Sequence, residues 1–235
     1  MNKDLGVLFP VCDEDRKHFQ RLSAELERLG KPFVVHFDHC CKETKSYFVG
    51  HRLCFNFTAD DDPKSFFDES FRQRPLDILI RFGFKFALQM DADETWEKRA
   101  PEKLERLMAL GADVCVARCL DFWGDEKHYR VDGPFASSTR EKLFKLPGNT
   151  LKYPHPSAHA PNVVPHGKRR EDAVVHRSDL HVLHWGIMSM EDAKFHKDRW
   201  DTIYTRKLGG NPYGGYEYYF SHDPVLAEFD YEEFQ

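Results

Sequence analysis

The chain has 235 residues, enough to bury a full core and most simply a single domain. Hydrophobic residues make up 41% and aromatics 14% of it, which excludes a disordered chain. The formal net charge of −5 argues against a general nucleic-acid binder: the one basic cluster, His166-Gly-Lys-Arg-Arg170, is followed at once by Glu171-Asp172.

The first residues enter an amphipathic pattern without an apolar leader, and no apolar run is long enough to cross a bilayer, so the expectation is a soluble cytoplasmic protein. Six cysteines without a Cys-x-x-Cys pair read as free thiols and not as a zinc site.

In chain order, Leu5 to Val11 predicts a strand. Asp13 to Leu29 follows as an amphipathic helix with Phe19, Leu22, Leu26 and Leu29 on one face and Gly30 as its stop. Phe33 to Phe37 predicts a second strand, parallel to the first through a right-handed crossover, ending at Asp38. The alternation in Lys45 to Phe57 suggests a third short strand, and Ser65 to Phe82 a helix broken or kinked by Pro75. Phe84 to Met90 is a short apolar run that stops at Asp91-Ala-Asp93; Glu94 to Gly111 then reads as a helix with Leu104, Leu107, Met108 and Leu110 inward. Val114 to Leu120 is another strand, and Tyr129 to Val131 begins one more. Pro147 to His166 reads as a long loop, Val174 to Trp185 as a strand and Ser189 to Thr205 as a helix before a Gly- and Tyr-rich tail.

Asp-x-Asp alone is a weak signal in a chain that is 31% charged, but here it lies between an apolar strand and a helix. Open α/β sheets bind ligands in the crevice beyond the carboxyl ends of their strands, where Asp91 and Asp93 would supply the hard oxygen ligands that Mg²⁺ or Mn²⁺ wants.

These residues resemble the family 2 glycosyltransferases, nucleotide-diphosphosugar transferases of the GT-A fold. Three places carry the resemblance: Val34-Val-His-Phe-Asp38 with Thr44, where Cys40 and Lys42 replace a Ser and an Asp of the family pattern; Gln89-Met-Asp-Ala-Asp-Glu94; and His184-Trp-Gly186 with the helix beyond it. The resemblance implies a GT-A-like α/β domain over 1–235, a mostly parallel mixed sheet flanked by helices. Its nucleotide-binding half would span about 1–95 and its acceptor half about 96–235. It implies that Asp38 and the main chain around Pro10 bind the nucleobase, with Thr44 in the same motif. Asp91 would touch the ribose or assist a Mn²⁺ or Mg²⁺ ion held by Asp93, and His184 is the second candidate ligand. Arg74 stands near a diphosphate-binding Arg-Asn position, although Pro75 replaces the Asn.

The implied reaction is inverting transfer of a sugar from a nucleotide-diphosphosugar, UDP-linked in the first instance, to a glycan or other hydroxyl acceptor. The base is open. Where relatives carry a Glu after a His, this chain reads His159-Ala160, so Asp132, His159 and Glu171 all stand as candidates. Two other readings stay open: a sugar-binding or interaction protein that has kept the scaffold and lost the base, and a metal-dependent phosphoesterase drawing on thirteen histidines. Trp123 and Trp185 read as a sugar-stacking platform or as core.

Overall fold

The computed structural model describes residues 3–61, 70–146, 151–152, 164–165, 173–208 and 217–230. In chain order the elements are β1 (Leu5–Val11), a 3₁₀ turn (Asp13–His18), α1 (Phe19–Leu29), β2 (Phe33–Asp38), α2 (Lys42–Val49), β3 (Cys54–Asp60), α3 (Ser70–Arg81), β4 (Phe86–Gln89) and β5 (Glu94–Trp96). There follow α4 (Ala100–Ala109), β6 (Val114–Asp121), β7 (His128–Arg130), a second 3₁₀ turn (Gly133–Ser137), β8 (Thr139–Lys145), β9 (Leu151–Lys152), β10 (Val164–Pro165), β11 (Val175–His184), α5 (Met190–Leu208), α6 (Glu217–Ser221) and β12 (Leu226–Glu228).

Eight strands form one mixed sheet in the order β3-β2-β1-β4-β8-β6-β11-β5. β1 pairs parallel with β2 and β4, β2 with β3, and β6 with β11, whereas β8 runs antiparallel between β4 and β6. β3, β2, β1, β4, β6 and β11 therefore all point the same way, and their carboxyl ends make one edge.

Alternation along the strands builds two layers. Val7, Phe9 and Val11 of β1 face the core under α1 and α4, packed with Leu22, Leu26, Leu104 and Leu107. Leu8, one residue out of phase, faces the other way against Leu76 and Leu79 of α3. Gly6 lets α3 come close: a Cβ there would stand 2.5 Å from Leu79 Cδ2.

The third short strand expected within Lys45 to Phe57 is present as β3 from Cys54, but the first part of that stretch is helix α2. The Asp13 carboxylate accepts from the Cys41 N–H (3.1 Å), which satisfies one of the open donors where α2 begins. The helix expected from Glu94 begins only at Ala100. Residues 94–96 instead pair antiparallel with β11, and α1 holds them there, because Glu25 accepts from Trp96 N (3.2 Å) and Arg28 donates to the Trp96 carbonyl (3.0 Å). β8 had no counterpart among the predicted elements. The Pro147 to His166 loop falls largely outside the described residues, apart from the β9 and β10 pairing. No helix among the described residues is long and apolar enough to cross a membrane.

Candidate active site

β2 and β4 flank β1 and run parallel to it, so Asp38 at the end of β2 and Asp91 and Asp93 just past β4 lie on the same sheet edge. β6 delivers Asp121 to that edge and β11 delivers His184, residues paired in register.

At its centre His184 lies between two carboxylates. Its Nδ1 is 2.6 Å from Asp121 Oδ1, and its Nε2 is 3.4 Å from Asp93 Oδ2. Burial by itself would disfavour the charged ring, but Asp93 and Asp121 outweigh it and raise His184 to about 10. Burial likewise works against charge on Asp93, yet His184 holds that carboxyl well below the usual range. Trp185 N donates to the Asp93 carbonyl (2.8 Å), locking the acidic turn to the end of β11. Gly186 supplies the remaining space, since a Cβ at this position would collide with Asp93 Oδ2. The spacing His184-Trp-Gly186 thus places a ring nitrogen and a side-chain void on the same carboxylate.

A divalent cation fits these residues once it displaces the proton from His184 Nε2, since a ligating imidazole must be neutral. The Asp121 bond to Nδ1 leaves Nε2 directed at Asp93, an arrangement in which a carboxylate orients a metal-binding imidazole. Asp121 Oδ2 is buried and has no hydrogen-bond partner among the described residues. The Cys119 thiol, the Asp121 carboxylate and a His184 ring nitrogen lie within 4.8 Å of one another. Cys119 is fully buried, and burial pushes its thiol far up, so it is a poor partner for a hard cation. Asp93 and His184 Nε2 are the better ligand pair, with Asp121 behind the ring.

Asp91 is drawn toward positive charge. Its Oδ2 lies 3.7 Å from Lys142 Nζ and 3.9 Å from Arg140 Nη1, both on β8. Lys142, 2% exposed at its side chain, closes on Glu94 at 2.5 Å. Asp121, Arg140 and Lys142 are not marked in the sequence, and Glu94 only as the last residue of the Gln89-to-Glu94 motif. Arg140 and Lys142 both lie on β8 and approach the same two carboxylates, Asp91 and Glu94.

At the other end of the edge, Asp38 is 2% exposed and lies in register with Asp60 on β3. His39, with φ 54 the one non-glycine residue in the left-handed region among those described, brings its Nδ1 within 2.7 Å of Asp38 Oδ1. Pro10 pairs in register with His36 on the strand beside it. Arg74 reaches the same corner, 3.3 Å from Asp60 and donating to the Ala59 carbonyl (3.2 Å). Thr44 is buried, its hydroxyl donating to Asp13 (2.6 Å) and accepting from Arg16 (3.1 Å), which ties α2 to the loop after β1.

Of the three candidate bases, Asp132 forms a buried ion pair with Arg130 (Nη2 to Oδ2, 2.5 Å). Burial opposes the charge on Asp132, but Arg130 keeps its carboxyl below the usual range. Arg130 in turn stacks under Phe135 (4.3 Å), Trp123 and Tyr219 (5.0 Å each). His159 and Glu171 lie outside the described residues. Both tryptophans are core: Trp123 packs on Tyr219, and Trp185 stacks on Phe122 and donates from Nε1 to Thr95. Neither is a sugar platform.

No protein-family model matches the chain, and no curated protein matches its sequence. Among solved structures, S. aureus TarS 1-349 in complex with UDP-GlcNAc aligns at a TM-score of 0.52 and 11% identity, over 88% of this chain and 67% of that one. A second structure of TarS 1-349 aligns at 0.42 and 13% identity over 61% of this chain, which spans 47% of its length. HddC from Yersinia pseudotuberculosis aligns at 0.44 and 11% identity over 83% of this chain and 98% of that one. At such identities the likeness speaks to architecture. With its mixed eight-stranded sheet between helices, the chain has the GT-A-type fold of the nucleotide-diphosphosugar transferases.

Proposed function

We propose that the protein is a metal-dependent glycosyltransferase that moves a sugar, with inversion, from a nucleotide-diphosphosugar to a hydroxyl acceptor. One observation carries this reading. The Asp93, His184 and Asp121 cluster shares a sheet edge with a buried Asp38, so residues suited to a cation and a carboxylate suited to a nucleobase N–H lie along one edge. A phosphoesterase would use the cation site but leaves Asp38 and its His39 partner without a role.

In this reading Asp38, held by His39, accepts from an N–H of the nucleobase, and the Pro10 main chain lines the same pocket. Arg74 stands at that end beside Asp60. Asp93 and His184 Nε2 hold Mn²⁺ or Mg²⁺, with Asp91 beside them facing the ribose or the cation. When bound, the cation stabilises the charge that builds on the leaving diphosphate. Asp121 keeps the His184 ring turned so that Nε2 faces inward, and Gly186 keeps Asp93 in place. The donor is UDP-linked in the first instance and the acceptor a glycan or other hydroxyl compound.

The acceptor proton goes to one of Asp132, His159 and Glu171. A base acts in the transition state and adds little to ground-state donor binding, so the variant that removes it keeps nucleotide affinity and loses about 10²- to 10⁴-fold in transfer. Asp132→Asn, His159→Ala and Glu171→Gln, assayed in parallel, assign it. Asp132→Asn needs a thermal melt beside the assay, because it also removes the counter-ion of Arg130. The function itself is tested by hydrolysis of UDP-, GDP- and CMP-linked sugars with Mn²⁺. Turnover of at least one donor that disappears in Asp93→Ala supports it. A wild type that binds a sugar nucleotide and turns over none favours the binding-protein reading.

A further inference from the structure

The cluster on β8 contains a cation whose job is not finished by the protein. Arg140 and Lys142 are two residues apart on the strand beside the acidic turn, and both approach Asp91 and Glu94. Lys142 is consumed, buried and bonded to Glu94 at 2.5 Å. Arg140 stands off: its guanidinium is 3.5 Å from Glu94 Oε1, 3.9 Å from Asp91 Oδ2 and 4.0 Å from Asp121 Oδ1.

A guanidinium carries five N–H donors and ordinarily closes on a carboxylate as a fork at about 2.7 to 2.9 Å. Arg140 makes no such bond among the described residues. Three carboxylates on different elements (the acidic turn, β5 and β6) share its charge at a distance, and its side chain is 32% exposed. A residue kept only to neutralise Glu94 or Asp91 would close on one of them, as Lys142 does. The geometry describes a fixed, pre-paid positive charge with its donors unspent, at the end of the sheet where Asp91, Asp93, Glu94 and Asp121 would otherwise repel any anion.

We infer that Arg140 is a ligand-binding residue: it donates to the phosphoryl oxygens of the donor's diphosphate, beside the cation site of Asp93 and His184. This rests on the functional reading above. Arginine suits the position, because its planar fork spans two phosphoryl oxygens and stays charged against four carboxylates.

Calorimetry with UDP, GDP and inorganic pyrophosphate, each with saturating Mn²⁺ and with chelator, separates the two ideas. R140Q should weaken UDP or GDP, and pyrophosphate equally, by about 10- to 100-fold in Mn²⁺, the span of a charge-assisted hydrogen bond. R140K should recover part of it. Mn²⁺ titrated alone should bind R140Q as well as wild type or better, since a repelling charge has gone; a role confined to neutralising the carboxylates would move only that titration. Wild-type affinity for diphosphates in R140Q overturns the inference and leaves the functional reading standing. Should R140Q not fold, R140K decides: a loss of about 3-fold or more supports the inference, and undiminished affinity overturns it. A wild type that binds no diphosphate under any condition overturns both.

Discussion

Asp93 is shaped by what three neighbours do to it: His184 supplies charge, Trp185 N holds its main chain, and Gly186 leaves it room. Only the last can be altered without touching a polar group. In Gly186→Ala the added methyl meets the free end of the carboxylate, which can swing aside at small cost to the fold but not while holding its place beside His184 Nε2. We expect melting within a few degrees of wild type and at least a 10-fold loss of Mn²⁺-dependent nucleotide affinity; a variant that melts normally and binds normally contradicts the role given to Asp93. Asp91, Asp93 and His184 were legible in the sequence because each closes an apolar run at a strand end. Asp121 closes one too, but no motif marks it, and its partner is 63 residues away. Arg140 and Lys142 were invisible for a stronger reason: Lys142 is a buried lysine, and sequence patterns place charges outside.

At the level of elements, the first βαβ unit could be read because α1 and β1 bury clean faces at their own periods, with Phe19, Leu22, Leu26 and Leu29 on one and Val7, Phe9 and Val11 on the other. β8 reads Thr-Arg-Glu-Lys-Leu-Phe-Lys, more than half of it charged, and is held as a strand by its pairing with β4 and β6 on either side. β5 is fixed by side chains of α1 some 70 residues earlier, which no local window can contain. The approach of α3 to the sheet is the element contact most open to test. Gly6→Ala puts a methyl 2.5 Å from Leu79 Cδ2, so α3 must shift or Leu79 must leave its rotamer. Overpacking of this kind costs about 1 to 3 kcal/mol. Urea unfolding should show that loss with the slope unchanged, and an unaltered midpoint would mean that α3 sits more loosely than described.

For the whole molecule, buried histidines set the behaviour in acid. His36 is 1% exposed on β2 with its Nδ1 on Thr58 (2.8 Å); burial, aided by the charge of Arg74, pushes it down to about 4. The unfolded chain protonates this residue near 6.5 and the folded one only near 4, so its contribution is complete above pH 6.5 and is lost as pH falls toward 4, on the order of 3 kcal/mol in all. His36→Asn, which keeps a hydrogen-bonding group near Thr58, should be less stable than wild type at pH 7. The gap should narrow toward pH 4.5, while parallel stability curves would show that His36 is not the group responsible.

The eight-stranded sheet brings Asp38 and the Asp93, His184 and Asp121 cluster onto one edge, and the proposal is that a nucleoside diphosphate bridges them. The direct test is a calorimetric titration of UDP and GDP into wild type and Asp93→Ala, each with Mn²⁺ and with chelator. Wild type should bind saturably and at least 10-fold more tightly with Mn²⁺, and in Asp93→Ala the Mn²⁺ enhancement should be gone. Equal affinity in chelator and in Mn²⁺, or an Asp93→Ala variant that still responds to the ion, would contradict the proposal.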